Sequence, residues 1–333
     1  MDNQVITSEY ALYNDDCVRF MPTLPDNSID ISVYSPPFYD LYSYSSSDED
    51  MANCRNYKEF LENYEFLVKE MGRVIKPGRC TVVHCMPVPK GQHLIDFPGD
   101  IIRLHEKHGF VYHDEHYIWK EPLRVAIKTR ALGLMHRQIV KDSTMCRAAF
   151  ADKILVFRKK GKNEIPVTHA DGFTTYAGTT PIPPDLVEKY KAWKNPKTNK
   201  LSHWIWQHYA SSVWMDINLG RVLKYKEARD AEDEKHVCPL QLDVVERCIS
   251  LWSNPGETLL TPFLGVGTEV YCAVLNGRKG IGIELKPSYF RQAVKNVAMA
   301  EHDRLAGGNA TLFDVEPEET IDEEDLEPIE EVV

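Results

Sequence analysis

The stretch TPFLGVGTEVYCAVLNGRKGIGIEL, residues 261–285, decides the fold. A predicted strand, ETLLTPF (257–263), runs into Gly265 and Gly267, and a predicted helix follows that ends near Asn276. A glycine at a strand-to-helix turn tolerates positive φ and lets the backbone pass close to a ligand. The pattern therefore predicts a ligand-binding loop in an α/β sheet, with a tight turn in an unrelated α/β protein as the alternative.

An acidic residue stands at the end of the next predicted strand, GIGIEL (280–285). Glu284 lies nineteen residues after Gly265, where a carboxylate can hydrogen-bond a ribose diol. A dinucleotide site requires a third glycine, so that the pyrophosphate can reach the helix N-terminus, and this chain has Val270 there. The motif favours a nucleoside ligand without a pyrophosphate, such as S-adenosylmethionine.

Strands and helices alternate along the chain on both sides of an irregular segment. The predicted strands lie at 30–35, 80–86, 112–120, 257–263 and 280–285. The predicted helices lie at 57–75, 101–110, 242–252 and 287–305. Such alternation is typical of a mostly parallel sheet covered by helices. From about 121 to 235 the alternation stops, and we expect an inserted region of irregular structure there.

A second motif, Ser35-Pro36-Pro37-Phe38, ends the predicted strand at 30–35. The proline pair is stiff and cannot continue a helix or a central strand. The Ser35 hydroxyl and the Pro36 carbonyl are therefore left to accept hydrogen bonds from an amino group in front of them. Phe38 offers a flat face on which a planar ring can stack. A rigid turn with a core phenylalanine is the alternative.

Together the two motifs resemble those of the DNA amino-methyltransferases, which make N6-methyladenine or N4-methylcytosine. The catalytic signature of that family, [DNS]-P-P-[YF], is matched by residues 35–38. Its cofactor signature, [DST]-P-F-x-G-x-G-[TS], is matched by Thr261, Pro262, Phe263, Gly265, Gly267 and Thr268. The catalytic motif precedes the glycine motif, which is the circularly permuted order of the family's β group.

Two further positions fit the same family. His236 and Gln241 match the H-x-x-x-x-Q segment that covers the cofactor site, and Asp16 matches the acidic position on the adenine side of the cofactor. Thr261 stands where the family more often has Asp, so the resemblance implies a structural role there and no charge.

The resemblance implies a fold and a division of the chain. The expected fold is a Rossmann-like methyltransferase sheet with helices on both faces, in permuted order, plus an irregular inserted recognition region. Residues 1–120 would form the catalytic half and 236–306 the cofactor-binding half. Residues 121–235 would recognise the DNA target. Residues 307–333 form an acidic tail that is expected to be disordered.

The resemblance also implies a reaction. A base flipped out of double-stranded DNA would receive the methyl group of S-adenosylmethionine on its exocyclic nitrogen. Ser35 and the Pro36 carbonyl would accept the two N–H bonds of the amine, while Phe38 stacks on its ring. Serine in the first motif position favours cytosine N4 over adenine N6. A methyltransferase of RNA or of protein glutamine, usually with Asn first, and an inactive DNA-binding relative are the alternatives.

The charge distribution favours a nucleic-acid partner despite a net charge of −11. Residues 314–333 hold eleven acidic residues and no basic one, whereas residues 120–162 hold twelve basic and three acidic residues. The candidate phosphate contacts are Lys120, Arg124, Lys128, Arg130, Arg137, Lys141 and Arg147. A solvated helix face is the alternative. Trp204, Trp206 and Trp214 are dense enough to be core residues rather than base-stacking ones.

Other classes of protein are disfavoured. We find no apolar run long enough for a membrane span and no secretory signal, so the cytoplasm is expected. The eight cysteines are scattered without a C-x-x-C pair, so we expect no metal. Cys80, His84 and Cys85 lie in a predicted strand and are expected to be core residues. No endonuclease signature accompanies the motifs of this restriction–modification family, so a stand-alone enzyme is expected, with a homodimer left open.

Overall fold

The computed structural model describes residues 3–39, 51–90, 93–123, 125, 132–189, 192–228 and 239–305. The strands are β1 (Gln4–Ile6), β2 (Tyr10–Asn14), β3 (Ile29–Tyr34), β4 (Ile75–Cys85), β5 (Val88–Lys90), β6 (His93–Ile95), β7 (Phe110–Ile118), β8 (Asp152–Lys159), β9 (Val213–Trp214), β10 (Thr258–Thr261) and β11 (Lys279–Glu284). The helices are α1 (Cys17–Phe20), α2 (Tyr57–Val74), α3 (Phe97–Lys107), α4 (His136–Asp142), α5 (Pro184–Lys189), α6 (Lys200–Tyr209), α7 (Leu242–Trp252), α8 (Thr268–Leu275) and α9 (Pro287–Leu305).

The main sheet has the strand order β1-β2-β11-β10-β3-β4-β8-β7-β9. Five adjacent strands of this order, β2, β11, β10, β3 and β4, run parallel to one another. β8 lies between β4 and β7 and runs antiparallel to both. After β10 the chain passes through α8 to β11, which lies on one side of the β10–β3 pair. After β3 it passes through α2 to β4, which lies on the other side of that pair. Such a divergence opens a crevice at the carboxyl ends of the two strands, where ligands of open α/β sheets bind.

Helices cover both faces of the sheet. Successive residues of a strand point to opposite faces, so Leu259 packs with α7, α8 and α9 while Leu260 packs with α2 and α3. Both leucines are fully buried. The predicted α/β sheet with helices on both faces is therefore confirmed.

Local sequence explains where α2, which connects the two catalytic-half strands, begins. Asn56 precedes the helix, and its side-chain oxygen accepts a hydrogen bond from the Glu59 N–H at 3.0 Å. The Glu59 carboxylate in turn accepts the Arg55 N–H at 2.9 Å. The first bond satisfies an amide group that the first helical turn leaves without a partner, and the second ties the residue before the cap to the helix. The predicted helix at 57–75 and the observed α2 differ by one residue.

The expectation of irregular structure throughout 121–235 is wrong where the chain forms helices α4, α5 and α6 and strands β8 and β9. Asp152–Lys159 forms β8, which pairs with β4 and β7 inside the main sheet. Ile154, Leu155, Val156 and Phe157 are fully buried. A strand covered on both faces appears in sequence as a short apolar run without alternation, and the basic residues around this run hid it. The proposed recognition region is therefore interrupted by two strands of the main sheet, β8 and β9.

Two small strands at the front of the chain escaped prediction as well. β2 lies at the edge of the parallel set and pairs with β11, and β1 pairs antiparallel with β2. Among the described residues, no helix is both long enough and apolar enough to cross a bilayer. The predicted tail, 307–333, lies outside the described residues.

Candidate active site

The two sequence motifs leave the sheet side by side. β3 and β10 are adjacent, with Ser32 paired to Leu260, and the Ser32 hydroxyl donates to the Leu260 carbonyl at 2.8 Å. Toward the carboxyl ends of the same two strands, the ring centroids of Tyr34 and Phe263 lie 5.9 Å apart. Ser35 follows immediately after β3. The structure thus brings the proline motif and the glycine motif to one crevice, although 228 residues separate Ser32 from Leu260.

The glycine loop has the backbone that the sequence predicts. Gly267 has φ +99° and is the N-cap of α8, and a Cβ there would lie 2.9 Å from Cγ2 of Val297. Gly265 has φ +54°, and a Cβ there would meet no atom of the described structure within 4 Å. Gly267 is therefore required for packing, whereas Gly265 borders space that no described residue fills.

Glu284 lies at the end of β11 and holds this loop. Its Oε2 accepts a hydrogen bond from the Gly265 N–H at 2.7 Å, and its Oε1 accepts one from the Lys286 N–H at 2.8 Å. A carboxylate has about four acceptor positions, so the Glu284 side chain can accept several hydrogen bonds at once. Both the ribose role predicted for Glu284 and a role in shaping the loop are compatible with its position.

Asp16 lies beside Glu284, one strand further out. β2 pairs with β11 so that Asn14 is opposite Glu284, and Asn14 Nδ2 donates to the Glu284 carbonyl at 2.7 Å. Asp16 is the N-cap of α1, where Oδ1 accepts the Val18 N–H at 2.9 Å. The structure therefore places both acidic candidates at the same edge of the sheet.

Two buried polar atoms of the predicted cofactor residues have no hydrogen-bond partner among the described residues. Gln241 Oε1 and Thr261 Oγ1 make no hydrogen bond within the described part of the chain. Thr268, the first residue of α8, is 2% exposed. Buried polar atoms are normally hydrogen-bonded. These two atoms, the open space at Gly265 and the Glu284 carboxylate fit a nucleoside ligand that carries polar groups. His236 lies outside the described residues.

A chain of four polar side chains runs through the catalytic half. Ser35 Oγ lies 3.1 Å from His84 Nδ1, and His84 Nε2 lies 2.9 Å from Asp152 Oδ2. The Lys120 ammonium lies 2.7 Å from both carboxylate oxygens of Asp152. Burial alone would raise the pKa of the Asp152 carboxyl, but His84 and Lys120 reverse that effect and hold it well below its usual range. Asp152 is therefore a buried anion.

The rest of the proline motif packs against this chain. Phe38 is 9% exposed, and its ring makes edge-on contacts with His84 at 6.5 Å and with Phe97 at 6.2 Å, centroid to centroid. Pro36 is buried and Pro37 is partly buried. The stacking role of Phe38 stays a prediction, since most of this ring is covered by protein.

The predicted phosphate contacts separate into three groups. Lys120 is engaged by Asp152. Arg137, Lys141 and Arg147 are exposed, the first two on α4. Arg124, Lys128 and Arg130 lie outside the described residues.

Arg147 also lines a cavity of about 530 Å³ together with Trp119, Lys120 and Val213. Trp119, 44% exposed, follows β7 at the carboxyl edge of the sheet. Lys120 lines this cavity, and its ammonium contacts Asp152. The cavity therefore adjoins the chain of polar side chains that ends at Ser35. The three tryptophans noted in the sequence lie elsewhere: Trp214 is fully buried, Trp204 is partly buried, and Trp206 is exposed against the Phe173 ring.

His84 and Asp152 are the site residues that sequence reasoning missed. His84 was expected to be a core residue of a strand, and Asp152 fell in the segment expected to be irregular. The available signal was a polar residue near the carboxyl end of a buried strand, the edge at which Ser35 also lies. Within the described residues, no group of three or more His, Cys, Asp or Glu side chains is placed to hold a metal ion.

Comparisons with known proteins agree with this geometry. A family model described as DNA methylase, for N6 and N4 methyltransferases, matches residues 29–295. The orphan methyltransferase M.BamHII of Bacillus amyloliquefaciens is 25% identical over 300 residues, covering 85% of this chain and 94% of that protein. The type II methyltransferase M.BamHI of the same organism is 24% identical over 277 residues, covering 82% of this chain. The chain spans 54% of the length of M.BamHI.

Solved structures show the same fold. A DNA modification methylase of Thermus thermophilus, TTHA0409, crystallised with S-adenosyl-L-methionine, superposes with a TM-score of 0.57 at 19% identity, covering 88% of this chain and 95% of that one. The PvuII DNA methyltransferase, described as cytosine-N4-specific, gives 0.56 at 17% identity, covering 90% of this chain and 94% of that one.

The sheet and its two loops thus define a Rossmann-like methyltransferase fold, as predicted. The chain belongs to the DNA methylase family of N6-adenine and N4-cytosine methyltransferases. That family uses S-adenosylmethionine as its methyl donor.

Proposed function

We propose that this protein transfers a methyl group from S-adenosylmethionine to an exocyclic amino group of double-stranded DNA. The observation that carries the proposal is the meeting of the two motifs: Ser35 follows β3, and the Gly265 loop follows the adjacent β10, joined by the bond between Ser32 and Leu260. An acceptor for the target amine and a loop for the methyl donor thereby share one crevice.

The donor would be held by the residues around the glycine loop. Glu284 would accept hydrogen bonds from the ribose hydroxyls, and Asp16 would lie on the adenine side. The Gly265 backbone would pass along the amino-acid part, in space that no described side chain or backbone atom fills. When bound, the donor supplies an electrophilic methyl group whose bond to sulfur breaks, with the electron pair kept by sulfur.

The target amine would be held by the proline motif. Its nitrogen lone pair is conjugated with the ring, so it is a poor nucleophile until its two N–H bonds are directed at acceptors. The Ser35 hydroxyl and the Pro36 carbonyl would accept those bonds and turn the lone pair toward the methyl group. Catalysis would then rest on alignment and electrostatics, with no covalent intermediate on the enzyme.

We propose cytosine N4 as the methylated nitrogen. Ser35 supports this choice, because serine in that position accompanies cytosine specificity within the resemblance. A serine hydroxyl is also a weaker acceptor than an aspartate. Adenine N6 is the second candidate, since the DNA adenine methyltransferase YhdJ of Escherichia coli is 34% identical over 85 residues.

The DNA would lie over the carboxyl edge of the sheet. The cavity lined by Trp119 and Arg147 supports this placement, because it combines an exposed aromatic ring with a cation beside the catalytic chain. The exposed bases on α4, Arg137 and Lys141, extend the same segment. The recognition region proposed for 121–235 would supply these contacts from the parts outside β8.

Methyl transfer from tritiated S-adenosylmethionine onto DNA, RNA and protein tests the activity, and mass spectrometry of digested DNA tests the base. We expect label on double-stranded DNA and a single N4-methylcytosine product. Ser35→Ala should lose most turnover and keep cofactor binding, while Ser28→Ala, a surface serine bonded to Pro25, should behave as the parent. Label on RNA or protein alone would overturn the proposal, and an N6-methyladenine product would overturn the base assignment.

A further inference from the structure

We propose that His84, held by Asp152 and Lys120, orients the Ser35 hydroxyl as an acceptor and takes up the proton that the methylated amine releases. This inference rests on the proposed function of Ser35. His84 touches Ser35 and not the target, so it is a positioning residue that acts through the serine.

The hydrogen-bond partners decide which nitrogen of His84 carries the proton. Asp152 is ionised, because the Lys120 ammonium contacts both of its oxygens, so it can only accept hydrogen bonds. The 2.9 Å contact between His84 Nε2 and Asp152 is therefore an Nε2–H donor bond. We take His84 as neutral before the reaction, and in a neutral imidazole the other nitrogen carries a lone pair. His84 Nδ1 faces Ser35 as an acceptor.

That assignment fixes the direction of the serine hydroxyl. Because His84 Nδ1 carries no hydrogen, the Ser35 hydroxyl donates its hydrogen bond to this nitrogen, 3.1 Å away. Both lone pairs of the serine oxygen then remain available for the N–H of the target amine. Without His84, the hydroxyl would rotate, and a proton pointing at the amine would repel its N–H bonds. Serine can replace the more basic aspartate of related motifs only if its proton is engaged elsewhere.

The same chain provides a route for the proton. When the nitrogen–carbon bond forms, the amine becomes a cation and loses one N–H proton to Ser35 Oγ. The hydroxyl proton of Ser35 moves at the same time to His84 Nδ1, so the serine ends neutral. His84 becomes an imidazolium paired with the Asp152 anion, and it later releases the proton to water. Three groups aligned in this way resemble the arrangement by which hydrolases activate a serine, with the two ring nitrogens exchanged, and here they receive a proton instead of activating a nucleophile.

Burial makes this chain more than a surface network. The side chains of Asp152 and His84 are 4% and 12% exposed, and Phe38 covers His84 edge-on. A hydrogen bond in such surroundings is less screened than one in water. Asp152 opens β8 and His84 nearly ends β4, and the antiparallel pairing of these strands, with His84 opposite Ile154, brings both residues to the Ser35 edge.

Single-turnover methyl transfer at saturating DNA and cofactor tests the role. His84→Ala should slow transfer by about a hundredfold or more, the usual scale for proton transfer by a positioned group. Cofactor affinity should stay at the parental value. His84→Asn keeps an acceptor near the serine and cannot hold a proton, so its rate should fall between those of the parent and His84→Ala. His93→Ala, at an exposed position on β6, is the matched control.

A double variant separates this role from support of the fold. Because Ser35 and His84 act as one unit, Ser35→Ala combined with His84→Ala should be no slower than Ser35→Ala alone. Losses that multiply would overturn the proposal. Parental activity of His84→Ala beside an inactive Ser35→Ala would refute the relay and leave the proposed function standing. Parental activity of Ser35→Ala would refute the proposed function itself.

Nuclear magnetic resonance of protein labelled with ¹⁵N-histidine gives a readout that does not depend on turnover. We expect the His84 ring as the Nε2–H tautomer, identified by the signals that disappear in His84→Asn. Asp152→Asn should shift it toward the other tautomer, whereas Asp114→Asn, an exposed position on β7, should not. An Nδ1–H tautomer in the parent would overturn the assignment.

Discussion

The Glu284 carboxylate accepts the backbone N–H of Gly265 at 2.7 Å, so the acidic end of β11 fastens the loop that follows β10. A substitution of Glu284 would therefore affect both the proposed contact with the cofactor and the shape of the glycine loop. Glu284→Ala should weaken S-adenosylmethionine binding by about 1.5–3 kcal/mol, the scale for losing a hydrogen bond to a charged group. Calorimetry on the folded variant measures it, with Glu62→Ala, exposed on α2, as control. Unchanged affinity would remove Glu284 from the site.

Gly265 and Gly256 form a matched pair for testing the glycine loop. Both have positive φ, +54° and +81°, and a Cβ at either would meet nothing within 4 Å in the described structure. Substitution by Ala should therefore cost each a similar left-handed strain of about 1–2 kcal/mol. Only Gly265 borders the proposed cofactor space, so only Gly265→Ala should also weaken cofactor binding. Thermal unfolding measures the strain, and calorimetry measures the affinity for the cofactor. Equal affinities of the two variants would show that the loop does not bind the cofactor.

Glu269 makes the stability of the protein depend on pH. It is 4% exposed in the first turn of α8, and burial, with a smaller effect of the Glu284 charge, raises its pKa to about 8. The folded state therefore holds this proton more tightly than the unfolded chain, and the stability it contributes is lost as pH rises from about 4.5 to 8. The melting temperature of Glu269→Gln should therefore fall less than that of the parent between about pH 4.5 and about pH 8. Parallel curves for the two proteins would show that Glu269 does not titrate there.

The salt dependence of DNA binding tests the exposed bases. Each phosphate contact contributes about 0.9 to the slope of log K against log salt, so Arg137→Gln and Arg147→Gln should each lower affinity and reduce the slope by roughly that amount. Lys279→Gln, exposed at the amino edge of the sheet, provides the control. A parental slope in both arginine variants would place the DNA elsewhere. Cofactor binding should be the same in all three.

Much of this architecture could be predicted because its signals are local. The amphipathic spacing at 242–252 and 287–305 identified α7 and α9 at their observed bounds, and the proline pair marked the end of β3. Each of these features depends on residues within a few turns of the chain.

What escaped prediction depends on contacts between distant residues. β8 carries the apolar run of a buried strand, but nothing near it shows that it pairs with β4 in the antiparallel direction. That pairing alone brings Asp152 to His84, and so turns an ordinary strand histidine into a neighbour of Ser35. Lys120 was predicted to meet phosphate because its charge is visible in the sequence, whereas its partner is visible only in the fold.

The adjacency of β3 and β10 also has a consequence for synthesis on the ribosome. Ser32 emerges 228 residues before Leu260, which at about 5–20 residues per second is a delay of roughly ten to fifty seconds. During this time one edge of β3 has no partner, and such edges are prone to aggregate. The sheet around β3 therefore cannot be completed until β10 has been synthesised. We expect chaperone dependence during translation to be greatest for this interval.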